Sequence, residues 1–357
     1  YIFLSAAVCG LIAIQSCDKD SSEDVVQDTT LYQLDIGNFP DPNIPGDNPL
    51  TVEGVKLGRM LFYEKKMSKD ATLACAGCHK QEDAFDDIRQ FSEGIRGLEG
   101  KRQAMAIFNM AWNDNEFFWD GRAHLLRDQA LKPIQDELEM DETLDNVVAK
   151  LSESQTYKDQ FTRAFGTNVI DEEKIALALE QFMHSIVSKD SKYDQSLAGT
   201  ASLNASEERG KDLFFKEYNE FFPEESGADC AHCHSTFNFE NDQYMNNGLD
   251  SDANFTDLGR FDVTANDADK AKFKVPSLRN IALTPPYMHD GRFETLEEVV
   301  AHYNSGIKNS STVDPAIENT RVTGLMLNEQ DKADLVAFLK TLTDETLITK
   351  AEYSDPF

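Results

Sequence analysis

One pentapeptide pattern occurs twice in the 357-residue chain, as Cys75-Ala-Gly-Cys78-His79 and as Cys230-Ala-His-Cys233-His234. Cys-x-x-Cys-His is the attachment signature of c-type haem. The two thiols form thioethers to the porphyrin vinyl groups, and the histidine that follows is placed to ligate the iron. The two copies use every cysteine beyond position 17, so the chain is expected to carry two covalently attached haem c groups. A structural zinc site could also use four cysteines, but its paired knuckles lie within about 15–20 residues of each other. Cys78 and Cys230 are far apart. A redox Cys-x-x-Cys reading explains neither the histidine after each pair nor the repetition.

The first sixteen residues carry no charge and include the apolar run Ile2–Ile14, followed by Gln-Ser-Cys17 and a polar stretch. This reads as a lipoprotein-type export signal over 1–17, with Cys17 as the lipidated residue. The run is shorter than the ~20 residues of a membrane span. An exported protein, lipid-anchored at the periplasmic face of the cell envelope, agrees with haem attachment outside the cytoplasm. Residues 18–50, rich in Asp, Pro, Asn and Ser, read as a flexible tether. The net charge of −30 argues against nucleic acid and anionic lipid as partners, and suits docking of a basic electron-donor protein.

The rest of the chain repeats itself loosely. Leu57-Gly-Arg-Met-Leu-Phe62 precedes the first motif and Arg209-Gly-Lys-Asp-Leu-Phe214 the second, each with helical spacing of apolar residues. Downstream come Phe118-Trp-Asp-Gly-Arg122 and Met288-His-Asp-Gly-Arg292, followed by helical patterns from Ala123 and from about Thr295 through Tyr303. Asp171–Ser188 reads as an amphipathic helix, and no convincing strand is present. The expected fold is mostly α, with two homologous cytochrome c-type haem domains over 51–195 and 196–350. The break is placed near 191–205, where Asp190-Ser-Lys-Tyr-Asp-Gln-Ser and Ala198-Gly-Thr interrupt the pattern.

These residues, in this order, resemble the bacterial di-haem cytochrome c peroxidases and their MauG-like relatives, which mature methylamine dehydrogenase. The resemblance covers about residues 50–345 and is most specific in Val275-Pro-Ser-Leu-Arg-Asn-Ile-Ala-Leu-Thr-Pro-Pro-Tyr-Met-His-Asp-Gly291. It implies that the N-terminal haem is peroxidatic and that the C-terminal haem relays electrons. It places Gln129 and Glu139 on the distal side of the first haem, Gln129 to orient peroxide and Glu139 to shuttle the proton. Asp136 and Glu137 lie close enough in sequence to be mistaken for that base. Trp119 matches a tryptophan that conducts electrons between the haems. Calcium between them is implied through the backbone carbonyls of Thr284 and Pro286, with Gln103 in place of the family's asparagine; hard oxygen donors suit that ion.

Two departures bear on function. The peroxidase branch carries a histidine, in the loop after the first motif, that closes the first iron site in the resting enzyme. Ile95 stands at that place in Phe91-Ser-Glu-Gly-Ile95-Arg, and no histidine occurs from Lys80 to Ala123. The first haem is therefore expected to keep an open position. At the second haem the family's axial methionine falls on Tyr303, as in the MauG-like branch; Met288 and His302 are the alternative ligands. Thioether favours ferrous iron, whereas phenolate favours the oxidised metal.

Three readings follow. The first is a di-haem peroxidase reducing H2O2 to water with electrons from a small cytochrome c or cupredoxin. The second is a MauG-like oxidase that uses peroxide to oxidise side chains of a partner protein. The third is a passive di-haem electron carrier, which the missing loop histidine disfavours. The resemblance leaves a homodimer open.

Overall fold

The computed structural model describes residues 25–357. The expected signal segment and Cys17 lie outside the described residues. The helices, in chain order, are α1 (Val52–Tyr63), α2 (Leu126–Gln135), α3 (Leu144–Ser152), α4 (Gln155–Phe165), α5 (Glu172–Ser185), α6 (Lys192–Leu197), α7 (Ala205–Phe215), α8 (Phe261–Thr264), α9 (Leu296–Ala301), α10 (Glu318–Thr323) and α11 (Glu329–Lys340). Among the described residues the sheet content is one antiparallel pair, β1 (Tyr244–Met245) with β2 (Phe273–Lys274). The fold is mostly α, as the residue patterns predict, and its two halves repeat each other.

Each half is centred on a crossed helix pair, α1 with α5 and α7 with α11. The repeated sequence explains how they cross. A Cβ on Gly58 would stand 1.9 Å from the Ala178 carbonyl oxygen, and one on Gly210 would stand 1.9 Å from that of Asp334. Only glycine lets the backbones approach this closely. Around the crossings, Leu57, Leu61, Phe62, Ile134, Phe161 and Phe182 form one core; Phe214, Phe239, Leu335, Phe338 and Leu342 form the other. Each such side chain contributes roughly 1.5–3 kcal/mol by leaving water.

The Asp-Gly-Arg turns are duplicated down to single hydrogen bonds. Phe117 N–H donates to Ala123 O and Tyr287 N–H to Phe293 O, both at 2.7 Å. Gly121 and Gly291 sit at φ +74° and +62°, the left-handed region that a tight turn needs and glycine tolerates.

The structure adds three features to this outline. Residues 25–50 do not hang free. Tyr32 N–H donates to Leu50 O, Asn43 N–H to Ala111 O, and the Asn48 side chain is buried against Glu180 and Gln181. The apolar residues Leu34, Ile36, Phe39 and Ile44 among the polar ones pack on Trp112 and Val187. The break near 191–205 contains α6, because Ser191 and Asp194 form a reciprocal capping box. The second half does not keep its C-terminus to itself: Leu347 and Tyr353 are buried in the first core.

Candidate functional site

Both pentapeptides fold as the same tight turn. His79 N–H donates to the Cys75 carbonyl at 2.9 Å, and His234 N–H to that of Cys230 at 3.0 Å. The rings are aimed alike as well. His79 Nδ1 lies 3.1 Å from the Phe85 carbonyl and His234 Nδ1 lies 2.8 Å from the Phe239 carbonyl. A carbonyl only accepts, so Nδ1 carries the proton in both rings and Nε2 keeps its lone pair. Burial lowers both imidazole pKa values, that of His234 to about 4, and the rings stay neutral. A neutral imidazole held through Nδ1 is the form that ligates iron through Nε2. All four thiols are unbridged, and among the described residues no group of three His, Cys, Asp or Glu side chains is placed to share a metal ion. The donor set fits two thioether-linked haems and not a zinc cluster.

A cavity of about 1330 Å³ runs from Cys78 and His79 to Met288 and His289, room for a macrocycle beside the first motif. Gln129, on α2, and Glu139, in the turn after it, line this space and the recess next to Cys75. Burial pushes the Glu139 carboxyl up to about 7; Asp136 adds to the rise and Arg122 opposes it. Its neighbours are otherwise engaged. Glu137 pairs at the surface with Arg96, and Asp136 accepts the Leu138 N–H at 2.8 Å. A carboxyl near neutrality facing the cavity can both accept and return a proton, and the Gln129 amide beside it can hold a polar ligand.

Trp119 lies buried in a hydrogen-bonded seam between the halves. Its Nε1 donates to the Gln103 carbonyl at 2.8 Å, Gln103 N–H donates to His289 O at 2.9 Å, and Lys274 N–H donates to Trp119 O at 2.8 Å. The Gln103 amide nitrogen donates to Asp86 Oδ1 and to the Asp87 carbonyl, which leaves its Oε1 uncommitted. Thr284 and Pro286 line the same cavity as Gln103.

At the second motif α9 widens into a π-turn over His302–Gly306, a distortion frequent at functional positions. Tyr303, Cys230 and Ala231 pack against the same core. Its hydroxyl accepts from Asn247 Nδ2 at 3.3 Å, and the same nitrogen lies 3.2 Å from Met288 Sδ. Burial pushes the Tyr303 phenol up to about 12, so a cation at the oxygen is needed to ionise it. His302 is directed elsewhere: its Nε2 donates to the Asn247 carbonyl at 3.0 Å.

The comparisons with known proteins point the same way. A family model described as di-haem cytochrome c peroxidase matches residues 52–202. The chain is 31% identical over 310 residues to the methylamine utilization protein MauG of Methylophilus methylotrophus, covering 86% of this chain and 87% of that one. The chain belongs to the di-haem cytochrome c peroxidase and MauG family. It is also 32% identical over 311 residues to a cytochrome c551 peroxidase of Nitrosomonas europaea, covering 86% of this chain and 85% of that protein. A solved MauG-like protein associated with microbial copper homeostasis superposes with a TM-score of 0.83 at 35% identity, over 91% of this chain and 99% of the other. Members of this family are oxidoreductases that act on peroxide, and the family implies two c-type haems here.

Several residues of this di-haem site escape sequence reasoning. Gly94 packs so closely on the Leu138 carbonyl that a Cβ would stand 2.0 Å from its oxygen, and Ile95 N–H donates to Glu139 O at 2.9 Å. Arg96 pairs with both Glu137 and Asp141, so the histidine-free loop around Ile95 clamps the Glu139 turn. No local pattern announces this long-range contact. A second omission had a signal. Each haem motif is followed by Phe and an acid, Phe85-Asp86 and Phe239-Glu240, and both acids are buried.

Proposed function

We propose that the chain reduces H2O2 to water at the N-terminal haem pocket, with electrons that enter through the C-terminal haem from a small donor protein such as a cytochrome c or cupredoxin. The haem groups held by Cys75, Cys78 and His79 and by Cys230, Cys233 and His234 supply the redox chemistry. Glu139 takes a proton from one peroxide oxygen and returns it to the other, which leaves as water. Gln129 orients the peroxide by hydrogen bonding, and Trp119 offers a delocalised orbital in the seam between the halves. Tyr303 would hold the second iron through its phenol oxygen. Gln103 Oε1 with the Thr284 and Pro286 carbonyls supplies the hard oxygens for one calcium ion. The observation that carries the reading is a carboxyl at about 7 in the recess that also holds Cys75, Cys78 and His79. Attachment of c-type haem outside the cytoplasm keeps the lipid-anchored envelope location as part of the proposal.

A second reading is supported by Tyr303 together with the histidine-free loop around Ile95. In that reading the same peroxide chemistry draws electrons from side chains of a partner protein. Peroxide added to the fully oxidised protein tests the first step that both share. A rapid optical change without prior reduction is expected, and Glu139→Gln should slow it about 10²–10⁴-fold. An unchanged rate in the variant overturns the role of Glu139. Turnover with a reduced donor cytochrome then favours the peroxidase; spectral changes that persist until a partner protein is added favour the oxidase.

A further inference from the structure

We propose that Glu240 takes up a proton when the haem at Cys230 and Cys233 gains an electron, so that electron entry into this enzyme is coupled to proton entry into the cavity between its halves. This rests on the redox role of the second haem and not on peroxide being the substrate. Glu240 directly follows Phe239, whose carbonyl fixes His234 Nδ1. Its own carbonyl accepts from Thr236 N–H and Oγ1, closing the loop under the ring. The side chain is 7% exposed and lines the large cavity. Its one hydrogen bond is neutral, from the Asn238 amide to Oε1.

The charged groups that face it do not neutralise it. Lys274 is committed to Asp242 at 3.0 Å and to the Asn115 carbonyl, and Asp114 stands nearby. Burial pushes the carboxyl up to about 7; Asp242 and Asp114 raise it, and Asn238 and Lys274 lower it. The matching acid of the first half differs. Asp86 accepts from two donors, the Asp87 N–H at 2.8 Å and the Gln103 amide at 3.2 Å, where Glu240 has one, although burial also pushes the Asp86 carboxyl well above the usual carboxylate range.

An electron added beside a carboxylate in a low-dielectric wall makes that negative charge more costly. The balance is one electron from the donor and one proton from water, so that oxidised haem and carboxylate become reduced haem and carboxylic acid with no net change in local charge.

The test is the midpoint potential of the second haem as a function of pH in the holoenzyme. In the wild type its reduction constant should fall as pH rises through neutrality, by up to tenfold per pH unit, or about 59 mV for one electron. Glu240→Gln should flatten this dependence and leave the optical spectra of both haems unchanged. Glu240→Asp, the conservative variant should Gln not fold, should keep a slope with a displaced midpoint, because the shorter carboxyl loses the Asn238 amide. A pH-independent wild type, a slope retained in Glu240→Gln, or an unmoved midpoint in Glu240→Asp would each overturn the proposal. A protein that shows the slope but does not turn over peroxide leaves this inference standing and removes the peroxidase reading.

Discussion

A carboxyl acts as a base only in its ionised form, and that form of Glu139 is gained near pH 7. The carboxylate fraction drops tenfold for each unit below that value. The reaction of the oxidised enzyme with peroxide should therefore accelerate up to about pH 7 and level off above it. Glu139→Gln should be slow and flat across the range; stopped-flow rates at several pH values decide this, and a flat wild-type profile would refute the assignment. At the second haem, Asn247 Nδ2 touches both Tyr303 OH and Met288 Sδ. Tyr303→Met should raise that haem's potential, because thioether favours ferrous iron. Met288→Leu should leave the potential and the low-spin spectrum as they are. The reverse pattern would make Met288 the ligand.

Among the elements, the two helix crossings respond most sharply to small changes. Gly58 and Gly210 appear in the sequence only as members of a loose repeat, without a stated reason. The structure supplies one: each is the point where a helix rests on the carbonyl of its partner. An added methyl there meets backbone and not a flexible side chain, so the helices must separate. Gly210→Ala should cost about 1–3 kcal/mol or more, as overpacking does. Thermal unfolding would register the loss, and the spectrum of the second haem should change before that of the first. The helices over 57–62, 171–188 and 209–214 were legible because apolar spacing is a local signal. The π-turn that carries Tyr303 was not, because the widening of α9 depends on what packs around it.

At the scale of the molecule, the C-terminal segment ties the halves together. Arg59 Nη2 donates to Ala351 O at 2.9 Å, Gln81 Nε2 donates to Leu347 O at 2.9 Å, and Tyr353 OH donates to Ser185 O at 3.0 Å. The Tyr353 ring meets Phe85 edge-on at 6.2 Å, directly under the residue whose carbonyl holds His79. Tyr353→Ala should destabilise the protein by about 3–5 kcal/mol, the cost of emptying a large aromatic site. It should also alter the spin state of the first haem and not of the second. Calorimetry with magnetic circular dichroism would show this; equal effects on both haems would mean that the tail supports the fold in general.

The haem motifs, the Asp-Gly-Arg repeats and the family were settled by sequence alone, because covalent attachment and tight turns demand particular residues at fixed short spacings. Glu139 and Gln129 were legible only through resemblance, since Asp136 and Glu137 offer the same functional group a few residues away. The tertiary structure sets one of these carboxyls in the recess beside Cys75 and leaves its neighbours to a cap and a surface ion pair. It also brought together what lies far apart in the chain: Trp119 with Gln103 and Lys274, Gly94 with Leu138, Tyr353 with Phe85. Such contacts depend on how two cores meet, and the environment that moves the Glu139 and Glu240 pKa values exists only once they have met.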